Sequence, residues 1–196
     1  MAGIPAGKPR ELAPKGVHNA RCIYVCDIGT QPARVEGWDD QRKVKIGFQL
    51  VDEKMKNGKA FVVEAEYTFV DGSNGNLAKM LEAWLGVTEL KKFDMDECLE
   101  QPAQVTIAHR ESKSTGNPYA PITAITGVTK NNKVKKQTEK VWSLYLNDQF
   151  DAEVFNGLSD YFKNAIAKSE EYKVIHAGGK KTGGASKGTT RRKKEA

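Results

Sequence analysis

The chain has 196 residues, of which 39% are hydrophobic and 29% are charged, so it holds enough apolar material for the core of one ordinary domain. No apolar run approaches the ~20 residues that span a membrane, and the first residues lack the apolar segment of a secretory signal. Three cysteines are too few for a disulfide framework, which favours a reducing, cytoplasmic setting. Because the sequence has no spanning run and no amphipathic or lipid-modified segment beside its basic tail, we expect no membrane partner.

The net charge of +6 comes from the end of the chain. Residues 177–196 contain seven Lys or Arg and one Glu, so the 24 basic and 24 acidic side chains before them cancel. Binding of a polyanion by the folded part must therefore depend on local patches and not on the overall charge.

The first half of the sequence predicts an arm and three strands. Residues 1–16 are rich in Pro, Gly, Ala and Lys without periodicity, which indicates a flexible arm. Alternation from Ala20 to Ile28 predicts a first strand that ends at Gly29, followed by a loop over residues 30–41. The second strand has an apolar face and an opposite, outward face, the latter made of Lys43, Lys45, Gly47 and Gln49.

A hairpin turn with the pair Asn57-Gly58 leads into the third strand, predicted over residues 60–70. Apolar residues at intervals of three and four then predict a helix over 76–85 that stops at Gly86.

Two more strands and a second helix follow. The strands are predicted over 104–109 and 119–128, the second at a sheet edge because it contains Pro121. A helix is predicted over 152–168, with one wide apolar face that must pack on its own domain, on a second copy as a homodimer, or on another protein.

This order of elements favours a mainly β fold. Three strands, a helix and two strands are the order of a five-stranded OB-fold barrel, although a mixed α+β sheet is the alternative. The predicted organisation is a flexible arm (1–16), an OB-like barrel (17–128), a basic linker (129–140), a helical extension (141–175) and a disordered basic tail (176–196).

A succession of short motifs runs through the predicted barrel. They are YTF at 67–69, LAKMLEAWLG at 77–86, FDMD at 93–96, QPAQVTIAH at 101–109 and GNPYA at 116–120. In this order they resemble phage-encoded single-stranded DNA-binding proteins. The resemblance covers residues 17–128 and implies an OB barrel that serves phage DNA replication or recombination and has no catalytic residue. It does not extend to the acidic tail of many single-strand binders, because this chain ends in RRKKE before its last residue.

An OB barrel binds a strand across its second and third strands, between the loops that follow strands one and four. Cations there would contact phosphates, and flat aromatic rings would stack on bases. The candidate groove residues are Trp38, Arg42, Lys43, Lys45, His109, Arg110, Lys113 and Tyr119. The alternative for Lys43 and Lys45 is a solvated strand face, and for Trp38 it is a buried loop anchor.

The linker and the tail supply further cations for phosphate contacts. They are Lys133, Lys135 and Lys136 in the linker and Arg191, Arg192, Lys193 and Lys194 in the tail. Each phosphate contact would add about −0.7 to the logarithmic salt slope. The alternative is that both segments only increase solubility.

Enzyme and metal chemistry find little support. The three histidines are dispersed, and Cys22 and Cys26 lack a second pair that would complete a zinc site. The carboxylates between Asp94 and Glu97 fit a turn and helix start better than a metal site. We therefore expect no catalytic residue, no metal and no cofactor.

The sequence thus predicts a non-catalytic, sequence-tolerant single-stranded DNA-binding protein of DNA replication or recombination. Two alternatives stay open. One is a protein–protein adaptor that binds replication or recombination proteins, and the other is a single-stranded RNA binder, since strand chemistry alone does not separate the two nucleic acids.

Overall fold

A long, bent first strand organises the fold. The computed structural model describes residues 11–33, 35–69, 75–129 and 131–177. The strands within these residues are β1 (Gly16–Gln31), β2 (Gln41–Lys54), β3 (Ala60–Thr68), β4 (Pro102–Ile107), β5 (Arg110–Glu111), β6 (Pro118–Tyr119), β7 (Ile122–Thr126) and β8 (Trp142–Leu144). The α-helices are α1 (Asn76–Leu85), α2 (Ala152–Gly157), α3 (Asp160–Ile166) and α4 (Glu170–His176).

The main sheet has the order β3-β2-β1-β4-β7, and every neighbouring pair in this order is antiparallel. Strand β8 pairs with β1 in parallel, and β5 and β6 form a separate hairpin between β4 and β7. The mainly β class and the helix between the third and fourth strands are therefore confirmed.

Strand β1 is longer than the sequence predicted. It pairs with β4 over Gly16–Arg21 and with β2 from Ala20 to Gln31. Gly29, predicted to end the strand, instead lies inside it at a register shift with a φ of +69°. The glycine therefore marks a bulge, which a residue with a side chain would adopt at a cost.

One hydrophobic core lies between the sheet and α1. The apolar face of β2 is buried as predicted, with Val44, Ile46 and Phe48 each 0% exposed. Helix α1 has the predicted bounds and ends at Gly86, whose φ of +72° gives the left-handed termination. The indole of Trp84 donates a hydrogen bond of 2.8 Å to the carbonyl of Pro102 and so links the helix to β4.

A second hydrophobic core lies on the other face of β1, beneath residues 131–177, which we call the C-terminal segment. Its buried apolar side chains come from β1, from the stretch around β8 and from α3, and they are Ile23, Tyr24, Cys26, Ile28, Leu144, Leu146, Phe162 and Ile166. Both faces of β1 are consequently covered, and residues 22–29 are all buried.

The C-terminal segment follows β1 from its beginning to its end. Asn132 contacts Asn19 at the start of the strand, Trp142 pairs with Tyr24 in the middle, and Ala165 accepts a hydrogen bond from Gln31 at the end. Residues predicted as a separate linker and extension are therefore packed along the sheet.

The single helix predicted over 152–168 is wrong, because the structure has three short helices over 152–176. Ser159 and Ser169 interrupt the helical pattern at N-cap positions, and the Ser169 hydroxyl accepts from the backbone N–H of Tyr172 (3.2 Å). Phe162 and Ile166, from the predicted apolar face, pack against the chain's own sheet. If a second copy of the chain packed on these helices as a homodimer, it would contact the side chains that stay exposed, such as Tyr161, and not Phe162 or Ile166.

The predicted linker is a strap held by side chains of β1 and β2. Arg21 donates to the carbonyls of Val134 and Lys135, and the Gln49 side-chain oxygen accepts from the backbone N–H groups of Thr138 and Glu139. Of the predicted arm, Ala13 is buried, while residues 1–10, Lys130 and tail residues 178–196 lie outside the described residues.

Candidate nucleic-acid interface

A cleft of about 340 Å³ lies where β1 ends and β2 begins, and it brings together three of the predicted groove residues. Trp38, Lys43 and Lys45 line it, with Ile28, Val35, Glu66 and Tyr161 among the other lining residues. Among the described lining residues, Lys43 and Lys45 are basic, and Glu66 and Asp39 are acidic.

Trp38 is the most exposed aromatic side chain among the described residues, at 68%. Its loop turns at Gly37, whose φ is +83°, and its backbone N–H donates to the carbonyl of Val35 (3.2 Å). The alternative of a buried loop anchor is therefore wrong. A large apolar ring left in water is available for a partner.

Lys43 is half-buried at the rim of the cleft. Its ammonium donates to the side-chain oxygens of Gln41 and Thr68, both at 2.8 Å. Both acceptors are neutral, so these two hydrogen bonds orient the ammonium without neutralising its charge.

Lys45 is not on an open face, contrary to the prediction. It is 6% exposed, and its ammonium lies 2.7 Å from Glu64 and 3.5 Å from Glu66. It also donates to the hydroxyl of Tyr161 (2.6 Å), which donates in turn to Glu64 (2.8 Å). Burial works to lower the pKa of Lys45, but these hydrogen bonds outweigh it and raise the pKa. The same bonds, with one from Tyr24, lower the pKa of Glu64 against its burial.

Gln49 and Gly47, the other residues predicted to face outward beside Lys45, are covered too. Gln49 is 4% exposed because it holds the strap, and Gly47 lies against the ring of Tyr24. The outward face of β2 is therefore an interior surface, because the C-terminal segment packs across it.

Arg42 is engaged by the buried carboxylate of Asp27. Its guanidinium donates to both carboxylate oxygens, with one Nε contact of 3.1 Å, and lies over the ring of Phe69. The hydrogen bonds to Asp27 raise the pKa of Arg42, against the opposing effect of its partial burial. Its charge is thus already neutralised within the protein.

The predicted residues after β4 lie on the β5–β6 hairpin. Arg110, Lys113 and Tyr119 are exposed, and Arg110 pairs with Tyr119 in the hairpin register. His109 instead fixes the backbone, since its Nε2 donates to the carbonyl of Ala13 (2.8 Å). The hairpin follows Ile107, which pairs with Gly16, so it lies at the beginning of β1 and the cleft lies at its end.

The strap lysines are exposed, and one of them has an acidic partner. Lys135 lies 2.8 Å from Asp52, whereas Lys133 and Lys136 form no ion pair with another described residue. Arg191, Arg192, Lys193 and Lys194 lie outside the described residues.

Sequence reasoning missed Asp27 and Tyr161, which bind the predicted groove residues Arg42 and Lys45. Asp27 is 0% exposed and accepts from Gly29, Arg42 and the backbone N–H of Leu146. Its position between Cys26 and Ile28 was a usable signal, because a carboxylate in a buried strand requires donors nearby. Tyr161 gave no such signal.

Within the described parts of the chain, no group of three or more His, Cys, Asp or Glu could hold a metal ion. Asp94 accepts from the backbone N–H of Asp96 and so caps the short turn Met95–Cys98, as the turn interpretation predicted. None of the described helices is both long and apolar enough to cross a membrane.

No model of a known protein family matches the chain, and a search of curated proteins finds no significant match.

Proposed function

We propose that this protein binds single-stranded DNA without strong sequence preference and without catalysis, in the replication or recombination of viral DNA. The observation that carries the proposal is Trp38, an indole that is 68% exposed and lines the same cleft as Lys43. A flat ring beside a cation stacks on a base and contacts its phosphate, and such stacking tolerates every base.

The strand order supports the proposal. The order β3-β2-β1-β4-β7 with a helix between β3 and β4 is the order of an OB barrel, and we propose that the sheet belongs to this class. OB folds bind single strands with the loops after their first and fourth strands. Trp38 is on the first of these loops, and Arg110, Lys113 and Tyr119 are on the second. The role in replication or recombination rests on the motif resemblance.

The proposed contacts differ from those expected of an open OB face. Lys45 and Arg42 already have carboxylate partners, and the C-terminal segment covers the outward face of β2. The bound strand would therefore contact the rim residues Trp38 and Lys43 and the exposed hairpin. Binding would be carried by loops rather than by the strand face.

Intrinsic fluorescence tests the proposal, because the three tryptophans differ in environment. Trp84 is buried and Trp142 stacks on Tyr24, so Trp38 alone presents an exposed ring. We expect a thirty-nucleotide oligo-dT to quench the emission, and Trp38→Phe to remove most of this quenching while the chain stays folded. Equal quenching in Trp38→Phe would overturn the stacking role.

Two competitors define the ligand in the same assay. An unlabelled duplex should displace the oligonucleotide poorly, and an RNA oligomer of the same length separates DNA from RNA binding. Displacement by duplex as effective as by single strand would contradict the proposal, and preference for RNA would favour the RNA-binding alternative.

A further inference from the structure

Six exposed cations converge where β1 begins, and we call this surface the basic end. Three of them come from the β2–β3 turn and its flanks, two from the β5–β6 hairpin and one from the residue before β1. They are Lys54, Lys56, Lys59, Arg110, Lys113 and Lys15.

Hydrogen bonds hold these chain segments against one another. The Glu11 carboxylate accepts from the backbone N–H of Lys56 (3.0 Å), which joins the residues before β1 to the β2–β3 turn. His109 donates to the carbonyl of Ala13 (2.8 Å), which joins the same residues to the hairpin. Gly16 pairs with Ile107 directly beside this contact. The six cations thus share one end of the molecule although they are distant in sequence.

The cations of the basic end lack the partners that neutralise those near the cleft. Arg42 and Lys45 each have a carboxylate partner, whereas none of the six forms an ion pair with another described residue. The described carboxylates on the same segments are Glu11, Asp52, Glu53 and Glu111, so six positive charges face four negative ones, and Asp52 is paired with Lys135. Glu11 is occupied by the turn backbone and Glu53 lies 3.5 Å from His18.

We propose that the basic end binds the phosphates of the single strand, with Lys54, Lys56 and Lys59 as contacts in addition to the hairpin residues. This inference rests on the proposed function and names where its electrostatic contacts lie. Unpaired ammonium groups on a hydrogen-bonded framework attract a chain of phosphates and release its counterions. Arg42 and Lys45 have carboxylate partners and would release few counterions. The cleft end would therefore contribute stacking and the contact of Lys43, and the basic end would contribute most of the charge.

The test measures the salt dependence of binding with the full-length protein. The variant is Lys54→Gln/Lys56→Gln/Lys59→Gln, titrated into labelled thirty-nucleotide oligo-dT at several salt concentrations. The control, Lys79→Gln/Lys91→Gln/Lys168→Gln, removes the same charge from three exposed lysines that lie on other segments of the chain. Urea unfolding establishes that both variants keep the wild-type stability.

The expected result is a logarithmic salt slope that is shallower by about 2 in the turn variant, because each lost phosphate contact removes about 0.7. The control should keep the wild-type slope. Equal salt slopes for the wild type, the triple variant of Lys54, Lys56 and Lys59, and the control would overturn the proposal that the basic end binds phosphates. The proposed binding of single-stranded DNA would still stand. Absence of wild-type binding to oligo-dT would overturn the function, and the inference with it.

Discussion

Asp27 and Arg42 form an ion pair at the place where the C-terminal segment crosses β1. The carboxylate of Asp27 is fully buried and also accepts from the backbone N–H of Leu146 (3.1 Å), so one side chain joins β1, β2 and the segment. Because its guanidinium is bound by Asp27, Arg42 does not offer an unpaired positive charge to a ligand. The ion pair therefore stabilises the fold and limits where a polyanion can bind.

Asp27→Asn should destabilise the protein by about 3 kcal/mol, because it leaves the Arg42 guanidinium without its buried partner and replaces an acceptor with a donor. We take the low end of the range for broken buried pairs because the Arg42 side chain is 34% exposed. Urea unfolding measures the change, with the exposed Asp148→Asn as control. Equal unfolding midpoints for both variants would show that the pair contributes little.

Trp38→Ala should weaken binding to oligo-dT by about 1–3 kcal/mol, the usual value of one stacked base. The loss should be similar for oligo-dA and oligo-dC, because every base presents a flat face. Fluorescence anisotropy of the labelled strand measures it. Val174→Ala removes an apolar side chain of α4 that is 61% exposed and should leave affinity unchanged. A loss confined to one base would point to base-specific recognition instead.

Gly47→Ala should destabilise the protein by about 3 kcal/mol through the second hydrophobic core, at the upper end of the range for overpacking. A methyl group at Gly47 would lie 2.0 Å from the ring of Tyr24. That ring cannot move away freely, because it stacks on Trp142 with centroids 4.6 Å apart and meets the edge of Phe162. Gly157→Ala, which meets no atom within 4 Å, is the control for urea unfolding. Equal midpoints would mean that the C-terminal segment lifts from β2 without cost.

The contact between Glu171 and Thr30 should make docking of the C-terminal segment sensitive to acid. Glu171 accepts from the backbone N–H (2.8 Å) and the hydroxyl (2.7 Å) of Thr30. Burial works to raise the pKa of Glu171, but the hydrogen bonds outweigh it and lower the pKa below its ordinary value. Because the pKa of Glu171 is lower in the folded protein than in the unfolded chain, the ionised carboxylate stabilises the fold at pH values above the unfolded pKa. This stabilisation is lost as the pH falls through the pKa of the folded state.

We therefore expect the stability difference between wild type and Glu171→Gln to be largest near pH 6 and to shrink toward pH ~3. Urea midpoints at a series of pH values measure it, and Glu153→Gln, an exposed glutamate of α2, supplies the reference. A difference that is constant with pH would contradict the lowered pKa.

The sequence was sufficient for elements that depend on local pattern. The alternation of Val44, Ile46 and Phe48 predicted the inner face of β2, and Gly86 predicted the end of α1. Both signals are local: the alternation of side chains determines which face of a strand is apolar, and the positive φ that glycine accepts allows a helix to end.

The sequence was insufficient where a distant segment decides the environment. Alternation placed Lys45 and Gln49 on the second face of β2 but could not show that residues 131–177 cover that face. The apolar spacing near Phe162 predicted one helix, while N-caps at Ser159 and Ser169 divide it. The same limit hid the basic end, since its cations are brought together by tertiary hydrogen bonds.

We propose that the described part of the chain prefers single-stranded DNA to duplex DNA. The most direct test is fluorescence anisotropy of a labelled thirty-nucleotide oligo-dT with the matching duplex as competitor, for the full-length protein and for a chain that ends after Ala177. We predict that both proteins bind the single strand in preference to the duplex, the shorter chain with a shallower salt slope. Binding by the full-length protein alone, with equal affinity for duplex, would overturn the single-strand preference and would leave the basic tail as a nonspecific polycation.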